Sequence, residues 1–374
     1  MNLFQKFKPS KRTSIVTLLA TVSVILLMLP AVALISTSST IQGPMKLPST
    51  VFVAAPPTGA KGPDDITMLA VPSLDGGKLL IWTAYQNGIN PNGTAGSTGG
   101  LIQSTVVAYD AASGKIVRQI LVTGKVDGIT ADPKTGRLIA TVNEDNNSAL
   151  NIIYPVLGAV ATYTYSPSPA FMGNGGTDSI AIRNGEIFVA HSNPANTAQA
   201  ADYRVKLDQD TLTAHLTPVF RDDSSALSVL TQKKVTLALT DPDTNYFMPS
   251  SSPRFGGDLA TISQADGQII FATNLAGPAH LKVLNLTDNK AGNIPPADGI
   301  AVATSSSGTL YVVDAGANII YALNTKGWPA GTVFIGEPSD NGNPLVGVLN
   351  LHTGVITPLS NVFVSPKGLL FVPS

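Results

Sequence analysis

Residues Asp298 to Thr325 read DGIAVATSSSGTLYVVDAGANIIYALNT. An Asp-Gly pair opens a short apolar run, a Ser-rich turn follows, and Gly308 leads into Thr309-Leu-Tyr-Val-Val313. A second turn, Asp314-Ala-Gly-Ala-Asn318, then gives way to Ile319-Ile-Tyr-Ala-Leu323. Runs of four to seven β-branched and aromatic residues divided by Gly, Asp and Asn are the composition of strands and tight turns. Helical periodicity is nearly absent from the chain, apart from a possible turn over 224–231, so the fold is all-β.

Outward from this stretch the same order recurs: an Asp, a short apolar strand, a Gly turn, a second apolar strand. It is found at Asp65-Ile66 with 78–82, Asp127-Gly-Ile129 with 136–140, and Asp178-Ser-Ile180 with 185–189. Further copies are Asp258-Leu259 with 267–271 and, varied, Asn361-Val-Phe363 with 368–371. Third strands ending in Asp or Asn follow most copies, among them 106–110, 203–208 and 346–350. Four strands per repeat make a β-propeller blade. The markers predict six blades, with seven the alternative if Gly331-Thr-Val-Phe-Ile335 opens another. A wide gap around 226–253 predicts an insertion or a further blade. The segment at 50–53 is expected to share a sheet with the C-terminal strands, closing the ring and removing exposed edges. A β-solenoid, with shorter and more regular repeats, is the competing fold.

Composition narrows the function classes. Of 374 residues, 44% are hydrophobic and only 13% charged, and there is no Cys. Disulfides, thiolate metal sites and cysteine nucleophiles are thereby excluded. Lys6, Lys8, Lys11 and Arg12 precede an apolar run from Ile15 to Leu29, then Pro30 and Ala31-Val-Ala33. This is the order of a signal peptide, cleaved after Ala33, with an uncleaved anchor the rival. The expected organisation is a signal peptide over 1–33, a linker over 34–49 and one propeller domain over 50–374. The body would then be secreted, periplasmic or on the cell surface, as a monomer that touches membrane only through an uncleaved N-terminus. Its net charge is mildly acidic and without a basic stripe, so nucleic acid is not an expected partner.

Residues just before the innermost strand of a blade lie at one mouth of the central channel. Asp65, Asp127, Asp178, Asp258, Asp298 and Asn361 would therefore face a common axis, as an oxygen-only set suited to Ca²⁺ or Mg²⁺. The alternative is structural, because Asp before a strand also caps turns through backbone N–H groups. His191, just beyond a second strand, is a candidate for the ligand face. No Gly-x-Ser-x-Gly elbow is present, and the Gly-rich stretch 87–100 lacks the Lys and helix of a phosphate loop. The acidic stretches 143–147 and 241–245 read as turns, and Tyr246, Phe247 and Trp328 as core or as a binding platform.

Residues 309–325 resemble a YVTN-type propeller repeat, and Asp298-Gly-Ile-Ala301 is similar to the inner strand of NHL-repeat and gluconolactonase-like propellers. The gluconolactonase-like resemblance implies a divalent ion at the mouth, held by acidic and Asn side chains, that polarises a lactone carbonyl. Three functions stay open on this reading. The first is a propeller binding a small molecule or an envelope protein across one face; the second, a metal-dependent lactonase-like hydrolase or lyase; the third, a surface-layer structural protein.

Overall fold

The computed structural model describes residues 51–374 apart from 97–99, 101, 168–174, 195–197, 289–292, 342 and 361. The signal peptide and linker expected over 1–49, and Asn361, lie outside the described residues. Among the described residues no helix is long and apolar enough to cross a membrane.

The chain folds as antiparallel four-strand meanders. β2 (Pro63–Ala70), β3 (Leu79–Tyr85), β4 (Gln103–Asp110) and β5 (Ile116–Thr123) form the first, in that spatial order. The next two are β6 (Val126–Asp132) to β9 (Ala159–Ser166) and β10 (Thr177–Arg183) to β13 (Thr213–Arg221). They join into one eight-stranded sheet because β9 and β13 pair in parallel along their outer edges. A further meander runs from β16 (Pro242–Phe247) through β17 (Leu259–Ser263) and β18 (Gln268–Thr273) to β19 (His280–Asn285). The wide sequence gap before it holds a hairpin, β14 (Ser225–Ser228) and β15 (Lys234–Thr236). That hairpin adds itself to the outer edge through a parallel β14–β19 contact, so residues 225–228 are strand and not the helical turn expected there.

Residues 298–325 are divided between two sheets. β20 (Gly299–Val302) pairs with β23 (Val333–Glu337), followed by β24 (Leu345–Leu349) and β25 (Ile356–Ser360). β21 (Ser307–Asp314) and β22 (Ile319–Lys326) cross instead to the closing sheet, where they lie between β26 (Pro366–Pro373) and β1 (Val51–Ala54). The expected pairing of 298–300 with 308–312 is thus corrected. β21 matches the eight-residue β26 along its length, and four-residue β20 is completed by β23. Val333–Glu337 is thus the strand between β20 and β24. The expectation that the first and last segments share a sheet holds: Val51 sits opposite Leu323 and Ala54 opposite Ile320.

Each sheet packs its face on the next, which is the propeller arrangement. One core cluster joins Leu80, Trp82 and Val106 of the first meander to Ile129, Leu138 and Ile153 of the second. Another joins Ile262, Ile269 and Phe271 to Ile300, Val333 and Ile335. Trp82 is fully buried and its indole N–H donates to the carbonyl of Leu69 at 3.4 Å. Truncating a buried aromatic of this size typically costs about 3–5 kcal/mol.

The innermost strands approach so closely that glycine becomes a requirement. A Cβ on Gly128 would stand 2.7 Å from Ser179 Cα and 2.8 Å from Ile180 N, and one on Gly299 would stand 2.0 Å from the carbonyl oxygen of Lys367. These obstacles are backbone and cannot swing aside. At two other junctions a side chain links the sheets. Asp65 accepts from the N–H of Ile129 at 2.9 Å, and the Thr244 hydroxyl donates to the carbonyl of Asp298.

Candidate functional site: an acidic axial mouth

At one end of the innermost strands Asp64, Asp127, Asp178, Asp243, Asp298 and the Lys367-Gly368 turn come together around a cavity of about 240 Å³. The cavity continues inward past Ile66, Ile129, Ile180, Ile300 and Leu369. Most of these inner strands slip register at this point: between Pro63 and Ile66, Val126 and Ile129, Thr177 and Ile180, Pro242 and Thr244. A corresponding slip on β26 falls between Pro366 and Leu369. A bulge leaves its residue outside the ladder and re-aims the side chain. Here it re-aims Asp64, Asp127, Asp178 and Asp243, and Lys367 with them, while Asp298 stands just before β20, its N–H donating to the carbonyl of Gly336.

Asp127, Asp178 and Asp298 line the cavity. Three other candidates lie differently in the fold. Asp65 lies one residue past the marker, and its carboxylate is engaged by the N–H groups of Ile66, at 2.7 Å, and of Ile129, so Asp64 takes the first place. Asp258 precedes the second strand of its meander: in antiparallel register Leu259 faces Phe247, which puts Asp258 at the far end of the strand from Asp243. His191 is wholly buried with Nδ1 3.0 Å from the carbonyl of Ala200, and it does not line the cavity. Lys367 also stands in the ring, while Asn361 lies outside the described residues.

The residues missed carry a signal of their own. Pro63-Asp64, Pro242-Asp243 and Pro366-Lys367 each open an inner strand. Proline is tolerated as the first residue of a strand, where no ladder donor is needed. The stretch at 241–245 reads as a turn because its Pro and Asp content outweighs the alternation that follows.

Two ammonium groups meet these carboxyls. Lys367 Nζ lies 2.8 Å from Asp64 Oδ1 and 3.1 Å from Asp298 Oδ2. Lys125 Nζ lies 2.7 Å from Asp127 Oδ1 and also binds Glu144 Oε1. Gln86 Nε2 donates to Asp127 Oδ1 at 3.1 Å. Asp127 Oδ2 is buried without a hydrogen-bond partner. Among the described residues no ion pair reaches Asp178 or Asp243, which line the same cavity. Burial pushes both carboxyls well above the usual range, reinforced at Asp178 by the charge of Asp243 and at Asp243 by that of Asp298. Burial also raises Asp298 to about 6, against the opposing pull of Lys367, and raises Asp65 to about 7.

Oxygens of Asp127, Glu144 and Asp178 lie within 4.8 Å of one another, a span that Ca–O bonds of roughly 2.3–2.6 Å can bridge. Two of those three residues already hold the Lys125 ammonium. A divalent ion therefore fits this set only with Lys125 displaced.

Fold and site together define a β-propeller with a buried, acid-rich axial mouth. Solved structures similar to the chain include streptogramin B lyase, at 13% identity and a TM-score of 0.43 over 86% of this chain and 91% of that one. A periplasmic gluconolactonase of Pseudomonas aeruginosa gives 11% and 0.45 over 82% and 87%. A chain of a nidogen/laminin complex gives 10% and 0.46 over 83% and 85%. No protein-family model matches the chain, and no curated protein matches it.

Proposed function

We propose that the chain is a six-bladed, extracytoplasmic binding propeller whose axial mouth docks a positively charged group. The observation that supports this most is the charge imbalance at the mouth. Among the described residues Asp64, Asp127, Asp178, Asp243, Asp298 and Glu144 are met by two ammonium groups, Lys125 and Lys367. Asp178 and Asp243 are left without an ion pair, and a cation from solution supplies one. The cavity volume bounds the occupant. About 240 Å³ is the space of roughly eight water molecules, below the roughly 300–1,000 Å³ of sites for drug-sized ligands. An ion or a small charged head fits.

The test is thermal melting of the full-length, chelator-stripped chain against millimolar inorganic and organic cations. A cation present at 100 times its Kd stabilises by about 2.7 kcal/mol, and the shift should vanish in Asp178→Asn/Asp243→Asn. If no cation shifts the melting temperature, the reading falls.

A divalent-metal hydrolase of lactonase-like chemistry is the second reading, favoured by the close oxygens of Asp127, Glu144 and Asp178. The metal would supply Lewis-acid polarisation of a carbonyl, and the three carboxylates would hold it. On this reading Lys125→Met should tighten Ca²⁺ binding at least tenfold, since it removes the competing ammonium. Unchanged Ca²⁺ affinity in that variant would count against it.

A further inference from the structure

We propose that the charged group docked at the mouth is the primary ammonium of a small organic amine, seated between Asp178 and Asp243. The inference rests on the cation-docking reading and specifies its ligand.

The chain itself shows what this ring of carboxyls accepts. Lys367 seats an ammonium between the carboxyls of the first and fifth places, Asp64 and Asp298. Lys125 seats a second between Asp127 of the second place and Glu144. The third and fourth places, Asp178 and Asp243, face each other without one, and a third ammonium completes the pattern. An ammonium has three N–H donors and no acceptor. The acceptors at hand are Asp178, Asp243 and the buried, unpartnered Oδ2 of Asp127, whose side chain lines the same cavity. Asp127 and Asp178 offer oxygens within 4.8 Å of each other, so one nitrogen can reach both.

The rest of the cavity describes the rest of the ligand. Inward of the ring the lining mixes Ile66, Ile129, Ile180, Ile300 and Leu369 with Thr67, Thr130, Thr244 and Asn245. This mixed wall accommodates a short alkyl chain behind the ammonium. The ammonium enters protonated and favours the ionised form of both carboxyls, which burial raises, so any proton they hold leaves to solvent on binding.

The experiment is calorimetric titration of the full-length chain at pH 8 with n-propylammonium, tetramethylammonium, n-propanol and CaCl₂, in two buffers of different ionisation heat. The expected result is saturable one-to-one binding of n-propylammonium with proton release. Tetramethylammonium, equal in charge but without N–H donors, should bind at least tenfold more weakly, and n-propanol should not bind. Asp178→Asn and Asp243→Asn should each weaken n-propylammonium at least tenfold. Both remove a buried charge, so both should fold, and the comparison of probes on the unmodified chain needs neither. Equal binding of the two organic cations would overturn the inference. So would Ca²⁺ binding that n-propylammonium fails to compete, although the cation-docking reading would then survive. If no cation binds, both fall.

Discussion

Asp243 occupies a place where an ionised carboxylate is costly. It is half-buried, and the charges of Asp298 and Asp241 add to the penalty of burial. Asp243→Asn should therefore stabilise the chain at pH 8 and have little effect at pH 4, measured by urea unfolding at the two values. Lys367→Met should act in the opposite sense. It leaves Asp64 and Asp298 buried without their counter-charge, a loss of about 3 kcal/mol given that Lys367 keeps 28% of its side chain exposed. The loss should shrink at pH 5, where Asp298 carries its proton. Neither residue is conspicuous in sequence. Asp243 hides in a polar turn-like stretch, and Lys367 has the opposite charge from every other member of its ring. Asp127 and Asp298 were legible because Gly and Ile follow them, and that triplet has one physical cause: the marker, the close approach, the core.

At the scale of the element, the close approach of inner strands is the feature most open to test. Gly128→Ala puts a methyl against the backbone of Ser179 and Ile180, and Gly299→Ala puts one against the carbonyl of Lys367. Overpacking against atoms that cannot yield costs about 1–3 kcal/mol, and both variants should also loosen the mouth. Gly136→Ala meets nothing within 4 Å, yet sits at a φ of +67°. It should cost less and leave cation binding unchanged, as a titration of the three variants would show. Strand existence was readable from β-branched runs such as 309–313 and 268–272. Strand partnership was not, because partners are chosen by register and length across sheets. β20 and β21 are neighbours in sequence and members of different sheets. The outer hairpin of β14 and β15 left only a gap in the repeat spacing.

Across the whole molecule the buried acids set a pH dependence. Asp65 is raised to about 7, and Asp241 and Asp298 to about 6, mainly by burial. These groups bind protons on folding, since their unfolded values lie near 3.9. Their contribution to stability is complete below about pH 4 and is lost as pH rises through 6 to 7. Asp110, held down to about 2 by Ser113, works in the other direction and loses its contribution as pH falls from 4 toward 2. Chemical denaturation across pH 3–9 should accordingly find maximal stability near pH 4–5 and a decline of several kcal/mol by pH 8. A docked cation should reverse part of that decline, because it stabilises the ionised carboxylates.

The crossing of β21 and β22 into the closing sheet bears on how the chain is made. A polypeptide emerging from its N-terminal end can finish each meander between 63 and 285 soon after its last strand appears. From β20 onward this stops. β20 waits for β23, and the pair β21–β22 waits for β26, which follows only after β23, β24 and β25. The ring can therefore close only once residues 366–373 are free to pair. The mouth, which needs Lys367 from that same strand, stays unformed until then.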